Sequence, residues 1–110
     1  MKFIEENPPR IFTVGKGIEI KDCGDMVLEN DEQITFIAGG SEYDVCKKSW
    51  GFYATPSLNG RLKSFNLETY LVINIDSKMK YIFLVHSDKK DLFRDYLKDE
   101  NLQIIQRMDT

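Results

Sequence analysis

The chain has 110 residues, 42% hydrophobic and 12% aromatic, which is enough apolar material for one core without metals or disulfides. Eighteen acids against fifteen bases give a net charge of −3, and the bases are scattered, which argues against nucleic acid as a main partner. The N-terminus turns acidic after Met1-Lys2-Phe3-Ile4. It lacks the apolar run of about 7–15 residues that a secretory signal needs, and no stretch approaches the ~20 apolar residues of a membrane helix. The expected location is therefore the cytoplasm, with no membrane partner. In a reducing compartment Cys23 and Cys46 are expected as packed, reduced thiols, although spacing leaves a disulfide between them open.

Residues 1–10 read as an N-terminal arm, because Pro8-Pro9 opposes regular structure, and residues 11–110 as a single globular domain. Ile11-Phe12-Thr13-Val14 is a short strand ended by Gly15-Lys16-Gly17. Ile18-Glu19-Ile20-Lys21 alternates as a half-buried strand does. Cys23-Gly24-Asp25 reads as a turn, with Met26-Val27-Leu28 returning. Asn30-Asp31-Glu32 turns the chain into Gln33–Ala38, and Gly39-Gly40 breaks that strand. Tyr43–Cys46 and Trp50–Ala54 are further strands. Asn59-Gly60 predicts a type I′ hairpin, whose central residues need positive φ. Leu67–Ile75 is the longest strand candidate. It carries Leu71, Ile73 and Ile75 on one face and Tyr70, Val72 and Asn74 on the other. Asp76-Ser77-Lys78 turns it into Met79–His86, apolar on both faces towards its end and so expected near the sheet centre. One helix follows. Asp88 and Asp91 suggest a capping box, Leu92, Phe93, Tyr96 and Leu97 form an apolar stripe, and Asn101 suits a left-handed end. Leu102–Ile105 is a final strand. The expected class is α+β: mainly antiparallel sheet, sandwich or barrel-like, with one C-terminal helix and then a short strand.

Chemical motifs are sparse. Two cysteines 23 positions apart and the single His86 cannot supply the closely spaced ligands that zinc requires. Asp22, Asp25, Asp31 and Glu32 match no calcium-loop spacing. No metal and no cofactor is expected. Gly15-Lys16-Gly17 lacks the spacing of a phosphate loop and precedes a strand. No Gly-x-Ser-x-Gly elbow is present, and Cys46 or Ser49 would meet His86 only through the fold. Cys23, flanked by Asp22 and Asp25, sits in surroundings that disfavour a reactive thiolate.

The segment Glu42–Arg61 stands apart. It interleaves Tyr43, Trp50, Phe52 and Tyr53 with Lys47, Lys48, Asn59 and Arg61, the mixture of aromatic faces and polar groups from which small-molecule sites are built. Gly51 would permit close backbone approach. The alternative is that Trp50 and Phe52 are core, with Lys47 and Lys48 solvated. On the binding reading the ligand residues are Trp50, Tyr53, Asn59 and Arg61, with no catalytic residue assigned.

The run Gly17–Gly24, with Ile34-Thr35-Phe36 and Ser49–Leu62 (SWGFYATPSLNGRL), resembles small bacterial proteins that accompany surface-polysaccharide biosynthesis, including pathways for sialic-acid-like sugars. The resemblance covers most of residues 11–85. That group has no assigned activity, so no residue roles carry over, but the resemblance implies a sugar, a nucleotide-sugar or an enzyme handling one as partner. The expected function is a non-catalytic binding or accessory module. Two alternatives stay open. One is a small metal-independent isomerase or hydrolase using His86 or Asp44 beside Tyr53 or Arg61. The other is a homo-oligomer or interaction module built on strand edges.

Overall fold

The structure is a computed structural model that describes all residues, 1–110. In chain order the elements are β1 (Lys2–Val14), β2 (Ile18–Val27), β3 (Gln33–Ala38), β4 (Ser41–Lys48), β5 (Gly51–Ala54), α1 (Arg61–Ser64), β6 (Leu67–Asn74), β7 (Lys80–His86), α2 (Lys90–Asp99) and β8 (Leu102–Arg107). They form a two-stranded ribbon β1-β2 and three-stranded sheets β3-β4-β5 and β7-β6-β8. The fold is α+β and mainly antiparallel, as expected, with open sheets rather than a closed barrel. Contacts cluster into two compact units, Met1–Ile34 with Val45–Tyr53 and Thr35–Asp44 with Ala54–Thr110.

In the first unit, the segment expected as an arm is strand. Lys2–Glu5 pair with Gly24–Val27, and Arg10–Val14 with Ile18–Asp22. Between them the register breaks, so that residues 6–9 of β1 lie opposite Cys23 alone. Pro8 and Pro9 have no N–H to give the ladder, so the strand bulges where they occur and resumes beyond them. The Cys23-Gly24-Asp25 turn is also absent, since β2 runs straight through it. Gly24, at φ 148°, serves close approach instead: a Cβ there would lie 2.3 Å from the Ile4 carbonyl oxygen and 2.9 Å from the Phe3 ring. A glycine inside a strand often marks such a crossing. Leu28 and Cys46 are the buried hydrophobic residues of this unit.

In the second unit β6 is central and β7 is an edge strand, the reverse of the expected placement. The register Tyr70↔Phe83 and Val72↔Tyr81 puts Tyr70, Val72 and Phe83 on one face, where Val85, Phe93, Leu97 and Leu102 complete the core. Phe93 of α2 packs against Tyr70 at 5.2 Å and edge-on to Phe83 at 5.8 Å between ring centroids. The helix therefore docks by Phe93 and Leu97, while Leu92 points outward and is exposed. Its N-cap is Lys89 with no side-chain cap bond, so the capping box at Asp88 is not formed. Asn101 does adopt the left-handed conformation at φ 57°.

A second short helix occupies the place of the expected Asn59-Gly60 hairpin. Ser57 organises it: its carbonyl accepts from Gly60 and Leu62 N–H, and its Oγ accepts from Arg61 N–H. Local side-chain bonding of this kind competes with hairpin formation. The turn drives Leu62 into complete burial.

Candidate functional site

Trp50 lies in the tight turn between β4 and β5, and Phe52 and Tyr53 follow on the short strand β5. Their exposures of 70%, 65% and 44% set aside the core alternative. Trp50 and Tyr53 stack on each other with centroids 5.9 Å apart and planes 28° from parallel. Gly51, at φ 149°, has open space where a side chain would be. Lys47 and Lys48, read as solvated or ligand-facing, are tied to the β2–β3 turn. Lys47 Nζ donates to Asn30 Oδ1 at 2.7 Å and Lys48 forms an ion pair with Asp31. Backbone bonds Asp31 N to Lys47 O and Lys47 N to Glu32 O, 2.8 and 3.0 Å, hold the same turn. The aromatic strip thus rises from a backbone that is braced at its base.

The other two sequence-chosen residues lie in the second unit. Arg61 Nη2 donates to Asp44 Oδ2 at 3.1 Å and to Thr55 Oγ1 at 3.3 Å. Asp44 is buried and also accepts from Thr35 Oγ1 at 2.5 Å, while Thr55 N–H donates to the Asp44 carbonyl. Arg61 therefore ties the 55–60 loop to the β3–β4 hairpin, and its head group is engaged structurally. Asn59 is exposed in that loop. The structure brings Trp50 to Tyr53 and gives Arg61 to Asp44.

Sequence reasoning missed two groupings in the second unit. The first is a charge cluster at the end of β6. Glu68, buried, accepts from Tyr70 Oη at 2.7 Å and pairs with Lys90 at 3.2 Å and Arg107 at 3.1 Å. Arg107 holds Asp109 through Nε and Nη2 at 2.7 and 3.0 Å. Burial pushes the Glu68 carboxyl up, but the bonds from Tyr70 and Lys90 and the charges of Arg107 and Lys90 outweigh it, leaving its pKa below the ordinary value. The Arg107 bond holds Asp109 low against its own burial. Burial, reinforced by Glu68, raises the Tyr70 phenol. Every member has a partner, so this cluster is a clamp on the C-terminus.

The second grouping is a pocket of about 260 Å³ between the β3–β4 hairpin and the face of the β7-β6-β8 sheet away from α2. Phe36, Leu67 and Leu84 give it apolar walls, and Ser41, Tyr43 and His86 add polar groups. Ser41 is buried, and its Oγ lies 2.8 Å from His86 Nδ1. The serine that His86 meets is thus Ser41, which no local motif marks.

No helix is long and apolar enough to cross a membrane. No protein-family model, curated protein or solved structure compared with the chain gives a match.

Proposed function

We propose that the chain is a non-catalytic binding module that presents the stacked pair Trp50 and Tyr53 to a sugar, a nucleotide-sugar or an enzyme handling one, in the cytoplasm. The observation that carries this reading is the exposed stack of Trp50 and Tyr53 at a braced turn. Large apolar side chains left bare together mark interaction sites more than chance exposure does. A pair of near-parallel rings offers a flat apolar face, on which the C–H face of a sugar ring or a base can lie, at low conformational cost. The sugar class rests on the resemblance of SWGFYATPSLNGRL to proteins of surface-polysaccharide pathways.

The acid–base enzyme is the weaker reading, because Asp44 is buried and engaged by both Thr35 and Arg61. A homo-oligomer has a specific observation in its favour. Phe3, Ile4, Ile11, Ile20 and Val27 are exposed on the two faces of the β1-β2 ribbon, and a two-stranded ribbon gains stability when its apolar residues are covered.

Trp50 is the sole tryptophan, so its fluorescence reports this strip alone. Titration with free hexoses, N-acetylated hexosamines and nucleotide-sugars is expected to change it saturably for at least one class. A blank across all three overturns the sugar reading.

A further inference from the structure

The pocket beside His86 carries chemistry that the aromatic strip does not use. Its walls, from Phe36, Leu67 and Leu84, are apolar, and its volume of about 260 Å³ lies below the roughly 300–1,000 Å³ of sites for drug-sized ligands. Two polar groups on it have no partner in the chain. Ser41 Oγ engages His86 at Nδ1, 2.8 Å away, and no protein group bonds Nε2. When the Ser41 hydroxyl donates to Nδ1, the imidazole proton resides on Nε2, which becomes a donor awaiting an acceptor. Tyr43, also lining the pocket, has a hydroxyl that forms no hydrogen bond within the chain. Gly39 borders the Nε2 edge, where a Cβ would touch the ring, 3.5 Å from Cε1 and 3.7 Å from Nε2, so glycine leaves that edge more open. Its φ of 56° suits glycine.

We propose that this pocket binds a small molecule with a short branched or aromatic apolar body and one acceptor oxygen, a carboxylate or an amide carbonyl. The apolar body sits against Phe36, Leu67 and Leu84, and the oxygen accepts from His86 Nε2–H and Tyr43 O–H. An apolar body that covers these donors leaves them unpaired unless it brings an acceptor, so acceptors are selected over donors of equal shape. Carboxylate and amide share that chemistry, and the presence of Glu42 on the rim favours the neutral amide of the two.

His86 is the sole histidine, so its imidazole resonances are unique in a labelled sample. The 110-residue chain would be titrated with isobutyramide, isobutyrate and isobutylamine while the Nε2 resonance is followed. The amide and the acid are expected to move it saturably, and the ammonium, a donor without an acceptor, is expected to leave it in place. Ala38→Leu, at an exposed position lining the pocket, adds bulk to the wall and is expected to weaken amide binding about tenfold or more. Tyr43→Phe should weaken it less and leave the apolar contact. The proposal is overturned if neither acid nor amide moves the resonance, if the amine moves it equally, or if Ala38→Leu leaves the response unchanged.

Discussion

Replacing Glu68 by Gln tests the charge clamp at the end of β6. The substitution keeps size and one carbonyl acceptor for Tyr70, but removes the charge that faces Lys90 at 3.2 Å and Arg107 at 3.1 Å. Breaking a fully buried ion pair costs about 3–5 kcal/mol. Here the Lys90 and Arg107 side chains are 39% and 41% exposed, so water screens them, and the loss should be about 1–3 kcal/mol. At roughly 4 °C per kcal/mol for a domain of this size, the midpoint should fall by about 4–12 °C at neutral pH. The sign with pH is fixed by the lowered Glu68 pKa. A depressed carboxyl contributes stability that is fully present above its ordinary value of 4.5 and is lost as pH falls through the folded value beneath it. Thermal melts followed by the circular dichroism of α2, from pH 7 down to pH 3, should show the gap between wild type and Glu68→Gln closing as pH falls. Equal midpoints at pH 7, or a gap that persists unchanged in acid, would refute the clamp.

Three further outcomes follow from the packing. Leu62→Ala, at a fully buried side chain on α1, should cost about 2–5 kcal/mol by chemical denaturation, and a loss under 1 kcal/mol would deny that this turn is core. Gly24→Ala must displace the Ile4 carbonyl, so hydrogen exchange should speed up on both sides of the β1–β2 crossing; unchanged protection would contradict that geometry. A thiol reagent should modify exposed Cys23 in the native protein and buried Cys46 only on unfolding; two fast thiols would refute the burial of Cys46.

Much of the strand pattern was legible because alternation and turn residues agree along it. Gln33–Ala38, the Asp76-Ser77-Lys78 turn and the strand–helix–strand ending all stand where periodicity puts them. The failures have physical reasons. Pro8-Pro9 stops a ladder only where a donor is required, and a bulge removes that requirement. Gly24 looks like a turn residue when the chain that crosses over it is unknown. Asn59-Gly60 signals a hairpin until Ser57 captures the following N–H groups. Met79–His86 is apolar on both faces, yet it is an edge strand, because β8 returns beside β6 and leaves β7's far side unpaired. The aromatic segment was singled out by composition, but only exposure separates a binding strip from a core. Ser41 and His86, 45 positions apart, carry no common signal in the chain.

The proposed function requires binding at the exposed pair of Trp50 and Tyr53. Its most direct test compares wild type with Trp50→Ala against whichever sugar or nucleotide-sugar raises the wild-type melting temperature. A ligand held only by the native state adds about 2.7 kcal/mol of stability at a hundred times its dissociation constant. Trp50 is 70% exposed and touches Tyr53, so its removal should cost the unliganded protein no more than about 1 kcal/mol. The variant should melt within a few degrees of wild type and no longer respond to the ligand. A variant that unfolds, or one that keeps the full ligand-induced shift, would contradict the proposed binding.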